Sequence, residues 1–122
     1  MTQLSNSNYD LEERTGKFGE NVITFCKTIR QDVITRPIIN QLIRSGTSIG
    51  ANYTEANNAS SRKDFRNKIF ICKKETQETK HWLRMISKCI SENDEDIKKL
   101  WKECQELVMI FQKITSSLNK DN

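Results

Sequence analysis

The chain has 122 residues, of which 30% are charged and one is proline, and its net charge is +4. That length supports one hydrophobic core rather than two, and the composition suits helices better than a sheet. Apolar runs only a few residues long exclude a transmembrane helix.

Leu11, Phe18, Val22, Phe25, Ile29 and Val33 follow helical spacing, with Thr15 filling one gap. With Asn8 as cap, they predict a first helix over about 8–34. Ile39, Leu42, Gly46, Ile49, Tyr53 and Ala56 predict a second helix over 37–58, with Pro37 in the first turn, where its missing N–H costs nothing. Phe65, Ile69, Cys72, Thr76, Thr79, Leu83, Ile86 and Ile90 form a third seam over 61–91, capped by Ser60 or Ser61. Ile97, Leu100, Cys104, Leu107, Phe111, Ile114 and Leu118 form a fourth over 94–119, with Asn93 or Asp94 as cap. No strand pattern competes. The expected fold class is all-α: one domain spanning 1–122, an antiparallel up-down-up-down four-helix bundle.

The second helix carries Gly46 and Gly50 in its interior, although glycine costs roughly 1 kcal/mol against alanine there. Antiparallel neighbours are level when their residue numbers add to a constant. Turns near 35, 60 and 93 put Phe25, Gly46, Thr76 and Phe111 in one layer, two large side chains against two small. Gly46 is therefore expected to make room for Phe25 or Phe111, and Gly50 to admit a neighbouring backbone. A phosphate-cradling loop is the competing reading, but neither GxGxxG nor a P-loop pattern is present.

Charge is unevenly spread. Residues 61–91 hold nine basic and three acidic side chains, whereas 1–60 and 92–122 are balanced or slightly acidic. On a helical wheel, Arg62, Lys63, Arg66, Lys73, Lys74, Lys80, Arg84 and Lys88 share one shoulder and the back of the third helix, and Lys68 departs from them. A cationic stripe of this kind suits RNA or DNA, with Phe70 and His81 placed to stack on bases; an ordinary solvated helix face is the plainer explanation. The other shoulder carries Ile71, Glu75, Glu78, Trp82, Met85 and Cys89. Partly buried carboxylates need partners, so Arg44 is expected to pair with Glu75 and Glu78, and Asn52 and Glu55 to extend a structural polar network. The same shoulder could serve as a subunit interface.

Other chemistry has little support. Glu78 and His81 make one ExxH, but a di-iron bundle needs a second together with two more glutamates, and the chain has one histidine. Four cysteines without CxxC spacing read as reduced core thiols rather than as ligands or nucleophiles. No catalytic residue, metal, cofactor or small-molecule substrate is expected. The polar opening MTQLSNSNYD has no apolar signal segment, and the expected location is cytoplasmic, with no membrane partner.

Arg44-Ser45, Ser48-Ile49-Gly50-Ala51-Asn52-Tyr53, Glu55-Ala56, Ser61, Asp64-Phe65, Lys74-Glu75, Glu78-Thr79 and Trp82-Leu83 match a specific pattern, and Asp10–Phe18 fits its opening helix. In these motifs the chain resembles the small bacterial four-helix-bundle proteins encoded by intervening sequences of 23S ribosomal RNA genes. The resemblance covers about residues 9–118; Gly46, where many members have Ala, departs from the pattern. It implies a homopentamer around a central channel with no known catalytic residues. Related accessory proteins of diversity-generating retroelements bind a reverse transcriptase and nucleic acid. The expected function is thus non-enzymatic RNA or DNA binding, 23S rRNA included, by a homo-oligomer. The alternative is a protein-interaction scaffold, such as an accessory subunit of a reverse transcriptase.

Overall fold

A computed structural model gives the protein's structure over residues 7–120, with side chains described from Leu11 onward. Four helices follow in chain order: α1 (Ser7–Lys27), α2 (Thr35–Asn57), α3 (Arg62–Ser87) and α4 (Glu95–Lys120). Consecutive helices pack on one another, and α1 closes against α4. The result is the all-α, up-down-up-down four-helix bundle that the four seams imply.

The seams fill the core. Phe18, Val22, Leu42, Ile49, Ile69, Leu83, Ile86, Leu107 and Phe111 are almost wholly buried, and Tyr53 meets the Phe111 ring edge-on with centroids 5.9 Å apart. Polar seam positions satisfy themselves locally. The Thr79 hydroxyl donates to the Glu75 carbonyl at 2.7 Å and lies 2.9 Å from the Ser45 hydroxyl. The thiols of Cys72 and Cys104 donate to the carbonyls of Ile49 and Thr76 on neighbouring helices. Cys26, Cys72 and Cys104 are buried, whereas Cys89 lies beyond the end of α3 and is exposed, unlike the core thiol expected from its spacing.

Three helix starts are chemically marked. Ser61 caps α3 by accepting the Asp64 N–H at 3.0 Å, and Asp94 caps α4 by accepting that of Ile97 at 2.9 Å. Ahead of α2, Asp32 accepts N–H bonds from Ile34 and Thr35 at 2.9 and 2.8 Å. The Thr35 hydroxyl reciprocates, accepting from the Asp32 N–H and donating to the Arg30 carbonyl. This cap explains why α1 stops at Lys27 rather than 34: Asp32 draws the backbone into the start of the next helix, and Thr28, Ile29, Val33 and Ile34 are β-branched residues with modest helix propensity. Val33, expected in the first seam, is consequently 84% exposed. The expected cap Asn8 lies inside α1, and its side chain is outside the described residues.

The early end of α1 moves its pairing with α2 by about a turn. A Cβ at Gly46 would meet the Val22 side chain at 3.1–3.4 Å, so Val22 faces this glycine in place of Phe25 or Phe111. Phe25 instead lies beside Leu100 and Asp96 in a groove between α1 and α4. The expected four-residue layer is therefore not formed. Gly50 does admit a backbone: its Cβ would stand 3.3 Å from Gly16 N and from the Thr15 carbonyl atoms. Across the same contact, a Cβ at Gly19 would lie 3.4 Å from the Thr47 Cα. All four glycines of the chain sit along α1 and α2 where these two helices draw close.

Candidate nucleic-acid interface

α3 packs between α2 and α4, so one of its flanks faces each neighbour and its back is left to solvent. Arg62, Lys63, Lys74, Arg84 and Lys88 are exposed along this back, and Arg66, Lys73 and Lys80 are half-buried on the α4 side. The Arg66 guanidinium donates to the Leu118 carbonyl and to Asn119 Oδ1, and it lies 5.0 Å from the Phe70 ring centroid. The Lys80 ammonium stands 5.5 Å from the centre of the Trp101 ring.

Seven of the eight stripe cations share a second property. Among the described residues, Arg62, Lys63, Lys73, Lys74, Lys80, Arg84 and Lys88 are in no salt bridge. Lys68, which points toward α2, pairs with Glu55 at 2.6 Å. Two of the three carboxylates of this segment are drawn the other way: Arg44 of α2 reaches Glu75 at 3.3 Å and also binds Glu78. Glu75 is 8% exposed, and partial burial works against the Arg44 charge, but the two carboxylates outweigh it and raise the Arg44 pKa. Acidic partners thus collect on the α2 side, while Arg62, Lys63, Lys73, Lys74, Lys80, Arg84 and Lys88 have no carboxylate in salt-bridge range among the described residues.

The other two residues expected in this network have separate partners. Asn52 donates to the Ser48 carbonyl of its own helix, and Glu55 is taken by Lys68. The Arg66 guanidinium lies over one face of the half-buried Phe70 ring, and exposed His81 packs edge-on to Trp82 at 4.7 Å. Sequence reasoning missed Arg14, whose guanidinium holds Glu103 through two bonds of 2.6 and 2.8 Å and also reaches Glu106, tying α1 to α4. It also missed Trp101. The α3 wheel contains only α3 residues, and the level-pairing rule that sets Thr76 beside Phe111 carries Lys80 to Leu107, nearly two turns away from this ring.

No group of three or more His, Cys, Asp or Glu side chains stands ready for a metal ion among the described residues, and no described helix is long and apolar enough to cross a membrane.

The molecule is an antiparallel four-helix bundle with an un-neutralised cationic flank on α3. It belongs to the 23S rRNA-intervening sequence protein family, whose model matches residues 8–113. It is also similar to a crystal structure from Bacteroides thetaiotaomicron VPI-5482, described as a protein with unknown function from the S23 ribosomal protein family. The TM-score is 0.77 at 29% identity, over 89% of this chain and 97% of that one. No curated protein matches the chain.

Proposed function

We propose that the protein is a non-enzymatic, self-associating helical bundle that binds nucleic acid, RNA foremost, through the basic flank of α3. The supporting observation is the set of seven basic residues on α3 and at its end with no carboxylate partner among the described residues, beside Lys68 and Arg44, which are paired. Unpaired cations in a row exchange condensed counterions for phosphates, which gives affinity with little sequence preference. The family name makes 23S rRNA the first target to try. Assembly as the homopentamer that the resemblance implies would present the flank several times.

The test is charge reversal at Lys73, Lys80 and Arg84 together. At low salt the wild-type protein is expected to bind rRNA fragments, and the triple variant to bind at least tenfold more weakly, because three phosphate contacts are lost and three repulsions added. Equal binding by the two proteins, or no salt-dependent binding by the wild type, contradicts the proposal.

A second reading draws on the opposite shoulder of α3. Ile71 is 36% exposed there, with Trp82 and Met85 half-buried along the same row. This strip suits docking of another helix, from a second copy or from a protein partner such as a reverse transcriptase. Capture of protein but no nucleic acid after nuclease treatment would favour it.

A further inference from the structure

An open groove of about 1060 Å³ runs between the second half of α3, the turn after it and the first two turns of α4. Lys80, His81, Arg84 and Lys88 line one wall, and Lys98 and Trp101 the other. Among the described lining residues Glu92 is the only carboxylate. Lys98 is held loosely by Glu95 at 3.8 Å, and among the described residues Lys80, Arg84 and Lys88 are in no salt bridge. The exposed lining is nonetheless largely apolar, through Trp101, Met85 and the lysine stems, over a floor of buried Leu83 and Ile97. The groove therefore combines a half-buried aromatic ring with cations on both walls. A duplex presents its phosphates outside and its bases stacked within, so it could use the cations but not the ring. A single strand offers both a charged backbone and a free base face.

We infer that this groove takes single-stranded nucleic acid, with one base stacked on Trp101 and the flanking phosphates held by Lys80, Arg84 and Lys88. The inference rests on the nucleic-acid reading proposed above and narrows it to a strand form and an anchoring residue. In the free protein the Lys80 ammonium occupies the electron-rich face of Trp101. When a nucleotide arrives, the flexible lysine stem carries its charge to a phosphate, and the base takes its place on the ring. Stacking tolerates any base, so the groove favours single strands without selecting a sequence.

The experiment titrates the protein with a short single-stranded oligoribonucleotide, its deoxy counterpart, and a blunt duplex of the same length, at low and moderate salt. Trp101 emission is read in a Trp82→Phe background and, as a check independent of that substitution, as the wild-type signal minus that of Trp101→Phe. Both single strands are expected to quench Trp101, and the duplex to leave it unchanged. Trp101→Ala should weaken single-strand binding by about 5- to 100-fold, the effect of losing one base–aromatic stack. Trp101→Phe should keep most of the affinity, and duplex affinity should not change in either variant. Melting curves establish that each variant is folded. Salt-dependent single-strand binding with no quenching, or with equal affinity for Trp101→Ala, overturns this inference and leaves the broader proposal standing. Absence of binding to every probe overturns both.

Discussion

Three thiols sit where a thiolate would have no solvent. Burial pushes Cys26 up from 9.0 to about 11, and Cys72 and Cys104 to about 12. Native protein at pH 8 should therefore release one equivalent with a disulfide reagent, from exposed Cys89, and four once unfolded in guanidinium. More than one fast-reacting thiol in the native state would mean that the core opens more readily than its packing suggests. The linkage sign follows from the direction of the shift. These groups bind more protons folded than unfolded above pH 9, so their contribution to stability is complete below pH 9 and declines as pH climbs from 9.0 toward about 12. Replacing Cys72 by Ala should flatten the alkaline fall in melting temperature, as measured by circular dichroism.

At the scale of the helices, α1 and α2 are distinguished by their glycines. A Cβ on Gly16 would touch nothing within 4 Å, whereas one on Gly50 would press on the backbone of Thr15 and Gly16 at 3.3 Å. Gly16→Ala should thus raise stability by about 1 kcal/mol through helix propensity alone. Gly50→Ala gains the same term but must push two helix backbones apart, at about 1–3 kcal/mol, so its net effect should be a loss of roughly 1 kcal/mol. Urea melts of the two variants should move in opposite directions; a stabilised Gly50→Ala would show that the approach is not tight. The cap of α2 makes a second prediction. Hydrogen bonds from the N–H groups of Thr35, then Ile34, hold the Asp32 carboxyl below its ordinary 3.8. Its contribution is therefore present above pH 3.8 and lost as pH falls through the lower folded value. Asp32→Ala should melt earlier than wild type at pH 7, with the gap narrowing below about pH 4. Asp32→Asn, which keeps an acceptor, should lie between them.

These elements also show what could be read in advance. The seams were legible because spacing alone specifies which side of a helix is apolar, and Ser61 and Asp94 were legible as caps because hydroxyl and carboxylate groups stand just ahead of apolar runs. The register of α1 was not. It depends on Asp32 and Thr35 bonding each other across the turn, a contact between two unremarkable polar residues inside what reads as continuing helical periodicity. From that one turn follow the exposure of Val33 and the replacement of Phe25 by Val22 opposite Gly46. The candidate site was half legible for the same reason. The basic flank belongs to a single helix, whereas Trp101 and the Arg14–Glu103 tie exist only once helices are set side by side.

For the whole molecule, positive charge is concentrated on α3 and the turns that flank it, where residues 61–91 hold nine basic and three acidic side chains. A self-associated state would set several such surfaces around one assembly. If the pentamer implied by the family resemblance forms, light scattering should give a mass five times the 14.3 kDa of one chain. A monomeric mass at micromolar concentration would confine any binding to a single flank. The most direct test of the central claim is the salt dependence of rRNA-fragment binding, compared between the wild type and the variant reversed at Lys73, Lys80 and Arg84. The account predicts that log K falls linearly with log salt, by roughly 0.7–0.9 for each phosphate neutralised, and that the variant's slope is shallower by about 2–3. Identical slopes for the two proteins, or wild-type affinity indifferent to salt, would contradict it.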